Sequence, residues 1–574
     1  MSSKQNTPRA GAPQFADRVN RIHAARGHLL ALAGYLILAA IFFWPLLRNI
    51  HTHILSYDNT DMPDGCDSFE FVWRYWWLLA VVRYGLNPLQ CDWIHPPFGD
   101  NLLFHSHPWV SELLTLPLGL LLGPATGYNL MILLMLVFAA WVYHAMLYRA
   151  FHIHGAVAWF IGAAFGFSGY LVLRAHWHAN MLGPCFWGAA LAILIASYHQ
   201  DRLTLARGAA MALFFWATFW NSFVEVFMLA IVLGTTAAVC EAARIATGRF
   251  SLRSMLAFYL PLMIGALSLL VLRLGPPVES LNMPLVDTSG YADFFRFPRL
   301  SIFASLTSPE RPPNWGIGFS FVLLMLAALG AIRGFRRHTA TTFVVLLMVA
   351  ATFVIAADPL HLVSDLVRRL PLGQGFRIFT RFTPFIVFFL GILAARGGDW
   401  LWKMWAHPTR RTALPQRDWG RSAAVAVIGL LLLVELFPVG STLRPLRLPA
   451  VPKAIQQQLR SGGYCLVVPE GPVFIQPYDI YQVALDAPCA ILSFWDKMDK
   501  GAKREREAQY PNVYPAANTY PLRPHVEDPN ILPELAALDI RYVLFADKRQ
   551  LPDSVIRGNV LLETDREILL RIAH

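Results

Sequence analysis

Long apolar segments recur from Leu29 to Gly440, and they limit the chain to one class of fold. Each is close to the roughly 20 residues that carry a helix across a bilayer. A bilayer core leaves no water for backbone groups, so a segment crossing it must be a helix or part of a closed barrel. Runs this long and this free of alternation read as helices. The chain of 574 residues is 56% hydrophobic and only 15% charged. Its mean hydropathy is +0.44. A soluble domain carries about 25% charged residues. The expectation is an α-helical polytopic membrane protein.

The basic residues decide how it is threaded. A formal charge of +11 would suggest nucleic acid if it lay on one folded face. Here the arginines sit in the turns between apolar segments, as in loops facing anionic lipid, so no nucleic acid is expected. Residues 1–28 form a basic, polar tail, with no cleavable signal peptide, placed in the cytoplasm by the positive-inside rule. The first span is 29–47. The stretch 109–122 is short for a span and holds Glu112 and Pro117. If it does not cross, the later spans are about 128–148, 155–173, 180–198, 206–221, 222–243, 255–273, 317–333, 340–357, 382–396 and 422–440. The Arg333/Arg336/Arg337 and Arg396–Arg421 clusters then both face inward; a crossing at 109–122 would turn them outward. This predicts about eleven transmembrane helices over 29–440 in a cell (inner) membrane, N-terminus cytoplasmic, with 109–122 re-entrant or juxtamembrane.

External loops follow at 49–127, 274–316 and 357–381. The tail 441–574 differs in kind: short apolar runs (YCLVVP, APCAILSF, IRYVLFA, NVLLE) alternate with turn residues, and ILPELAAL has helical spacing. It is read as a small C-terminal α/β external domain on the periplasmic side. Cys66 and Cys91 share the first loop and Cys465 and Cys489 the last domain, which is compatible with two disulfides and equally with free thiols. The chain lacks Walker, GxGxxG, CxxC and GxSxG signatures.

The loop from Tyr57 to His107 is the most chemically loaded part. Asp58, Asp61, Asp64, Asp67 and Glu70 lie within thirteen positions, followed by an aromatic run (Phe69, Phe71, Trp73, Tyr75, Trp76, Trp77). Trp-rich helices settle at membrane headgroups, so the run reads as an interfacial helix behind an acidic loop. Most of these acids are solvated turn residues on this view, and at most two do chemistry.

The order of DSFEFVWRYWW, GLNPLQCDWIHPPFGDNLLFHSHP, GFSGYLVLRAHWHANMLGP, SGYADFF, LPLGQGFRIFTRFTPF and ALDIRYVLF resembles the GT-C superfamily of membrane glycosyltransferases. That superfamily includes protein O-mannosyltransferases, lipid A aminoarabinose transferases and oligosaccharyltransferases. The chain is most similar to bacterial GT-C-like membrane proteins of unassigned acceptor, and the likeness covers most of its length. It implies a glycosyltransferase that takes a sugar from a polyprenyl-phosphate donor and passes it to an envelope glycan, lipid or protein acceptor on the external face. Partners are then the donor, the acceptor and the bilayer.

The resemblance also proposes roles. Asp67 matches the first-loop acid and would act as general base, with Asp64 as its backup; the structural alternatives are a helix cap and a turn residue. Asp293, in SGYADFF, would bind acceptor or a metal, or simply cap a short helix. Relatives differ in metal use, so the metal is unknown and a divalent ion stays open. Arg377 and Arg381, four apart, would share a helix face and hold the donor phosphate, or else snorkel at a span end. His176 and His178 form an H-x-H pair, as do His105 and His107; two more pairs, His51/His53 and His152/His154, suggest compositional habit. Donor-phosphate binding is the functional reading for His176 and His178. Glu225 lies inside a span, where an acid is costly; it lines a carrier groove or pairs with Arg174. The Trp216/Trp220 stripe reads as packing. Two rivals share the span pattern: a lipid-linked glycan flippase, and a non-catalytic relative that holds partners.

Overall fold

The computed structural model describes residues 12–55, 67–93, 100–102, 107–273, 320–337, 339–357, 379–406, 419–436, 445–448, 451–459, 464–468, 483, 508–511, 530–538, 540–545, 560–563 and 568–571. Helices predominate among the described residues up to 436: α1 (Ala12–Phe42), α2 (Asp67–Tyr84), α3 (Trp109–Leu122), α4 (Pro124–Ala150), α5 (Gly155–Gly166), α6 (Gly169–Trp177), α7 (Pro184–His199), α8 (Leu205–Asn221), α9 (Phe223–Ala246), α10 (Leu252–Arg273), α11 (Phe321–Arg337), α12 (Thr339–Ala357), α13 (Thr383–Ala406) and α14 (Trp419–Leu436). Each apolar segment expected to be a span is mainly helical over its described residues. Four described helices are long and apolar enough to cross a bilayer, or five if α5 and α6, bent by 41° at their junction, make one broken span.

Lipid tails are as apolar as leucine, so helices in a bilayer associate through close packing and buried hydrogen bonds. Both are visible. Gly330 on α11 lies where a Cβ would come within 1.9 Å of the Leu393 carbonyl oxygen, and Gly397 on α13 where one would meet the Leu326 oxygen at 2.1 Å. Two backbones therefore touch where two side chains are missing. At the centre, Trp187 of α7 stacks on Phe385 of α13 at 4.1 Å and Tyr143 of α4 on Phe165 of α5 at 4.6 Å. The Tyr143 hydroxyl donates to the Phe388 carbonyl.

Helix α3 folds against α4 across Gly123, whose φ of +90° suits glycine. Tyr75 of α2 fills the notch between Gly119 and Gly127 and donates to the Thr115 carbonyl at 2.7 Å. Ser111, near the start of α3, bonds Asn221 at the end of α8 at 2.6 Å. The other end of α3 meets the start of α4. Both ends of this 14-residue helix thus lie at the bundle end where α8 finishes and α4 begins, the head end.

Helix α2 departs from expectation. An interfacial helix would show its aromatic rings to headgroups. Instead Phe71, Trp73, Tyr75, Trp76 and Trp77 are all buried, as is Arg74. A helix buried all round needs partners on every side. Here α3, α4, α6 and the ring of Trp93, 5.5 Å from Trp77, supply them.

After α2, the short strands β2 (Gln90–Cys91) and β3 (Asp100–Asn101) pair antiparallel. Past α14, β4 (Leu446–Arg447) pairs antiparallel with β1 (His53–Ile54), just beyond α1. The exits of α1 and α14 are therefore neighbours at the head end. Farther on, β5 (Tyr464–Val468) runs parallel to β6 (Ile540–Phe545). The antiparallel strands β8 (Ile568–Arg571) and β7 (Val560–Glu563) complete a sheet of order β5-β6-β8-β7. Between α14 and this sheet lies α15 (Lys453–Leu459), and α16 (Ile531–Ala537) precedes β6. Ile455 and Leu459 of α15 pack on Cys465, Tyr542, Leu544 and Leu569 of the sheet. The run APCAILSF and both partners Cys66 and Cys489 lie outside the described residues.

Candidate active site

Polar side chains that a bilayer helix would exclude gather at the head end. Asp67 is the first residue of α2. Ser68, next to it and fully buried, donates to the backbone carbonyl of His176. The last carbonyls of a helix have no partner within it, and His176 is the penultimate residue of α6. Ser68 therefore meets a need of α6, and in doing so fixes the start of α2 against it.

The two histidines divide. His176 Nδ1 lies 2.6 Å from the Val172 carbonyl oxygen. That oxygen only accepts, so Nδ1 carries the proton, and a neutral His176 presents a lone pair at Nε2. His178 Nδ1 lies 3.2 Å from Arg174 Nη1. Guanidinium only donates, so Nδ1 accepts and Nε2–H is the donor of the neutral ring. The H-x-H pair stands on the last turn of α6 and the residue capping it, which is why the rings have different partners.

Glu225 lies in the first turn of α9. Ser222 caps that helix, its hydroxyl accepting from the Glu225 amide at 3.3 Å. The Glu225 carboxylate accepts from the Gly183 amide at 3.0 Å. A Cβ on residue 183 would lie 2.0 Å from that same carboxylate oxygen. The charges of Arg174 and Arg381 both bear on Glu225. Arg381 comes from the short helix Phe379–Phe382 that leads into α13, and its carbonyl lies 3.5 Å from the Tyr170 hydroxyl. The Arg174 guanidinium rests 5.0 Å from the Tyr170 ring centroid. Three remote segments thus meet: α6, the start of α9 and the approach to α13.

A second layer went unassigned in the sequence. Glu70 and Arg74, one turn apart on α2, form an ion pair, both buried. Glu112 lies 3.2 Å from His107 Nδ1, and both side chains are fully enclosed. Burial pushes the Glu112 carboxyl up to about 8, against the opposing pull of Arg74. A protonated Glu112 donating to a neutral imidazole fits both the contact and the burial of the two side chains. The four-residue spacing of Glu70 and Arg74 was a readable signal; the His107–Glu112 contact, reaching across the entry to α3, was not.

Arg377, Asp64 and Asp293 lie outside the described residues, as does His105. Asp67 is described by its backbone. Of the remaining H-x-H pairs, His51 bonds Thr126 at 2.8 Å and His154 stacks on Trp402 at 3.9 Å, ordinary packing roles. Trp216 sits over Gly265 and 6.2 Å from Phe219, as a packing stripe should. Among the described residues no group of three or more His, Cys, Asp or Glu is placed to hold a metal ion.

No family model and no curated protein sequence matches the chain. Its fold is shared with solved structures. Arabinofuranosyltransferase AftD from Mycobacteria aligns with a TM-score of 0.52 at 15% identity, over 91% of this chain and 35% of that one. ArnT from Cupriavidus metallidurans in the apo state aligns with a TM-score of 0.50 at 13% identity, over 96% of this chain and 98% of that one. ArnT has also been solved bound to undecaprenyl phosphate. The chain spans about a third of the length of AftD (35%) and nearly all of ArnT (98%). The likeness is one of fold: the chain has the GT-C-like architecture of membrane glycosyltransferases.

Proposed function

We propose that this chain is an integral membrane glycosyltransferase that moves a sugar from a polyprenyl-phosphate carrier to an envelope acceptor. One observation carries the reading. The Ser68 hydroxyl ties the helix that starts at Asp67 to the segment bearing Arg174, His176 and His178. The start of the helix that would supply the base and the segment that would hold the phosphate, over a hundred positions apart in sequence, are thereby joined at one end of a helical bundle.

In the proposed step, Asp67 takes the proton from an acceptor hydroxyl or amine. The acceptor atom bonds to the sugar's C1 as the bond from C1 to the phosphate oxygen breaks. The electron pair leaves on the polyprenyl phosphate. Arg381 and Arg377 meet the phosphate charge, and His178 donates to it through Nε2–H. His176 can donate there only as imidazolium, since Nδ1 is committed to Val172. Asp64 backs up Asp67, and Asp293 serves the acceptor or a metal. A positioned base is worth about 10²–10⁴-fold, and preorganised cations on a departing oxyanion a comparable factor. That ArnT, of like fold, binds undecaprenyl phosphate supports this choice of carrier.

We further propose eleven crossings with the head end outside the cell membrane. The β1–β4 pairing supports an odd count, because α1 and α14 must then leave the bilayer on one side. The position of both ends of α3 supports its not crossing. Residues 441–574 form the external α/β domain.

The test is sugar transfer in proteoliposomes from a radiolabelled polyprenyl-phosphate donor, comparing wild type with Asp67→Asn. Loss of product at equal protein level is expected. Transfer by Asp67→Asn at the wild-type rate removes Asp67 from the mechanism.

A further inference from the structure

The opposite end of the bundle is basic: the Phe151–His154 turn meets the end of α13 there, through Arg396 over the Phe151 ring and Asp399 on the His154 amide. Two guanidiniums at this end have no acid partner among the described residues. Arg333 of α11 lies 5.9 Å from the Trp400 ring centroid, and its buried Nε has no hydrogen-bond partner among the described residues. Arg396 reaches the Thr342 hydroxyl at 3.4 Å. Among the described residues neither makes an ion pair. The acid close by, Asp399, already holds Lys403 at 2.5 Å and accepts from the His154 amide at 3.0 Å. Arg336, one turn beyond Arg333, is exposed and adds charge.

An apolar groove opens between α5, α11, α13 and α14. Its floor is closed by two tight contacts, Phe160 on Gly429 and Val157 on Gly398: a Cβ at Gly429 would come within 2.3 Å of the Phe160 ring, and one at Gly398 within 2.9 Å of Val157. Leu326, Leu401 and Leu432 also line it. Leu326 and Arg333 are seven residues apart on α11, hence on one face and about 10 Å apart along the axis. The groove's α11 wall thus ends in the unpaired guanidinium, at the basic end.

We propose that this is a binding site for an anionic phospholipid of the leaflet at the basic end. Its phosphate sits on Arg333, with Arg336 and Arg396 contributing charge, and an acyl chain lies in the groove. A buried guanidinium nitrogen needs an acceptor. A lipid phosphate supplies one without crossing the bilayer, and the adjoining groove selects a lipid over a free ion. The site is separate from the head-end cluster and stands whatever is transferred there.

The full-length protein, purified in detergent, is titrated with phosphatidylglycerol and with phosphatidylcholine of the same acyl chains, and first-lipid binding is read by native mass spectrometry. Wild type is expected to prefer phosphatidylglycerol. Arg333→Gln should lose about fivefold in affinity for that lipid alone, Arg333→Lys should retain it, and Leu432→Trp should weaken both lipids by filling the groove. The proposal is overturned if Arg333→Gln keeps the preference or Leu432→Trp binds both lipids as wild type does. It is also overturned if millimolar inorganic phosphate displaces phosphatidylglycerol from wild type, which would mark a site for free phosphate.

Discussion

Ser68→Ala isolates what one buried hydroxyl does for the site. The side chain is fully buried and donates to a carbonyl at the end of α6 that the helix itself does not satisfy. Removing it leaves that carbonyl buried without its donor, at a cost of about 1–3 kcal/mol. Many other contacts bury α2, so the helix should stay folded while its first turn loosens. Asp67 is in that turn, and a displacement of about 1 Å at a reacting group costs on the order of 10²-fold in rate. Ser68→Ala should therefore lower kcat between about tenfold and 10²-fold, with KM for the donor little changed and the protein still folded by thermal melt. Ser68→Thr, which keeps the hydroxyl, should recover most of the rate. The assay is transfer in proteoliposomes with Asp67→Asn as the inactive reference. If Ser68→Ala turns over like wild type while Asp67→Asn is dead, the tie between α2 and α6 does not position the base.

Four further outcomes are expected. Gly330→Ala forces a methyl within 1.9 Å of the Leu393 carbonyl oxygen; overpacking should cost about 1–3 kcal/mol, seen as a lower melting temperature in detergent. Tyr75→Phe removes the bond to Thr115 but keeps the ring in its glycine notch, so the loss should stay near 1 kcal/mol by the same measurement. Because Glu112 binds its proton more tightly in the folded state, it contributes stability in full below its ordinary value of 4.5 and loses it as pH rises through about 8. Wild type should lose melting temperature between those pH values and Glu112→Gln should lose less; parallel profiles would refute the buried neutral acid. Arg381→Lys keeps the charge but not the planar fork, so the proposed phosphate role predicts a raised KM for the donor, and an unchanged KM would exclude it.

Much of the architecture was legible because its cause is local. An apolar run long enough to span a bilayer becomes a helix whatever lies around it, since no other backbone form leaves its polar groups satisfied. Hence the segments from 128 onward emerged as helices close to where hydropathy placed them. The Glu70–Arg74 pair was legible for the same reason, one helix turn being fixed geometry. The apolar and aromatic content of α2 was plain too, but its surroundings were not. Lipid headgroups and protein aromatics reward the same residues, so only the packing of α3, α4 and α6 around it distinguished an interfacial helix from a buried one.

The site belongs to the other category. The residue types for it were visible: acids before an aromatic helix, histidines after a polar turn, arginines before α13, an acid at Glu225. Nothing in the sequence says that Ser68 finds the His176 carbonyl, that Glu225 faces Gly183, or that β4 returns to β1. Those contacts join positions far apart in the chain, and each is set by which helix faces lie together and which glycines let them approach. The sequence by itself determined that this chain forms membrane helices and where they run, because desolvation of the backbone acts on each segment alone. Only the tertiary structure decided which polar groups share a buried space, because that depends on the shapes of several helices at once.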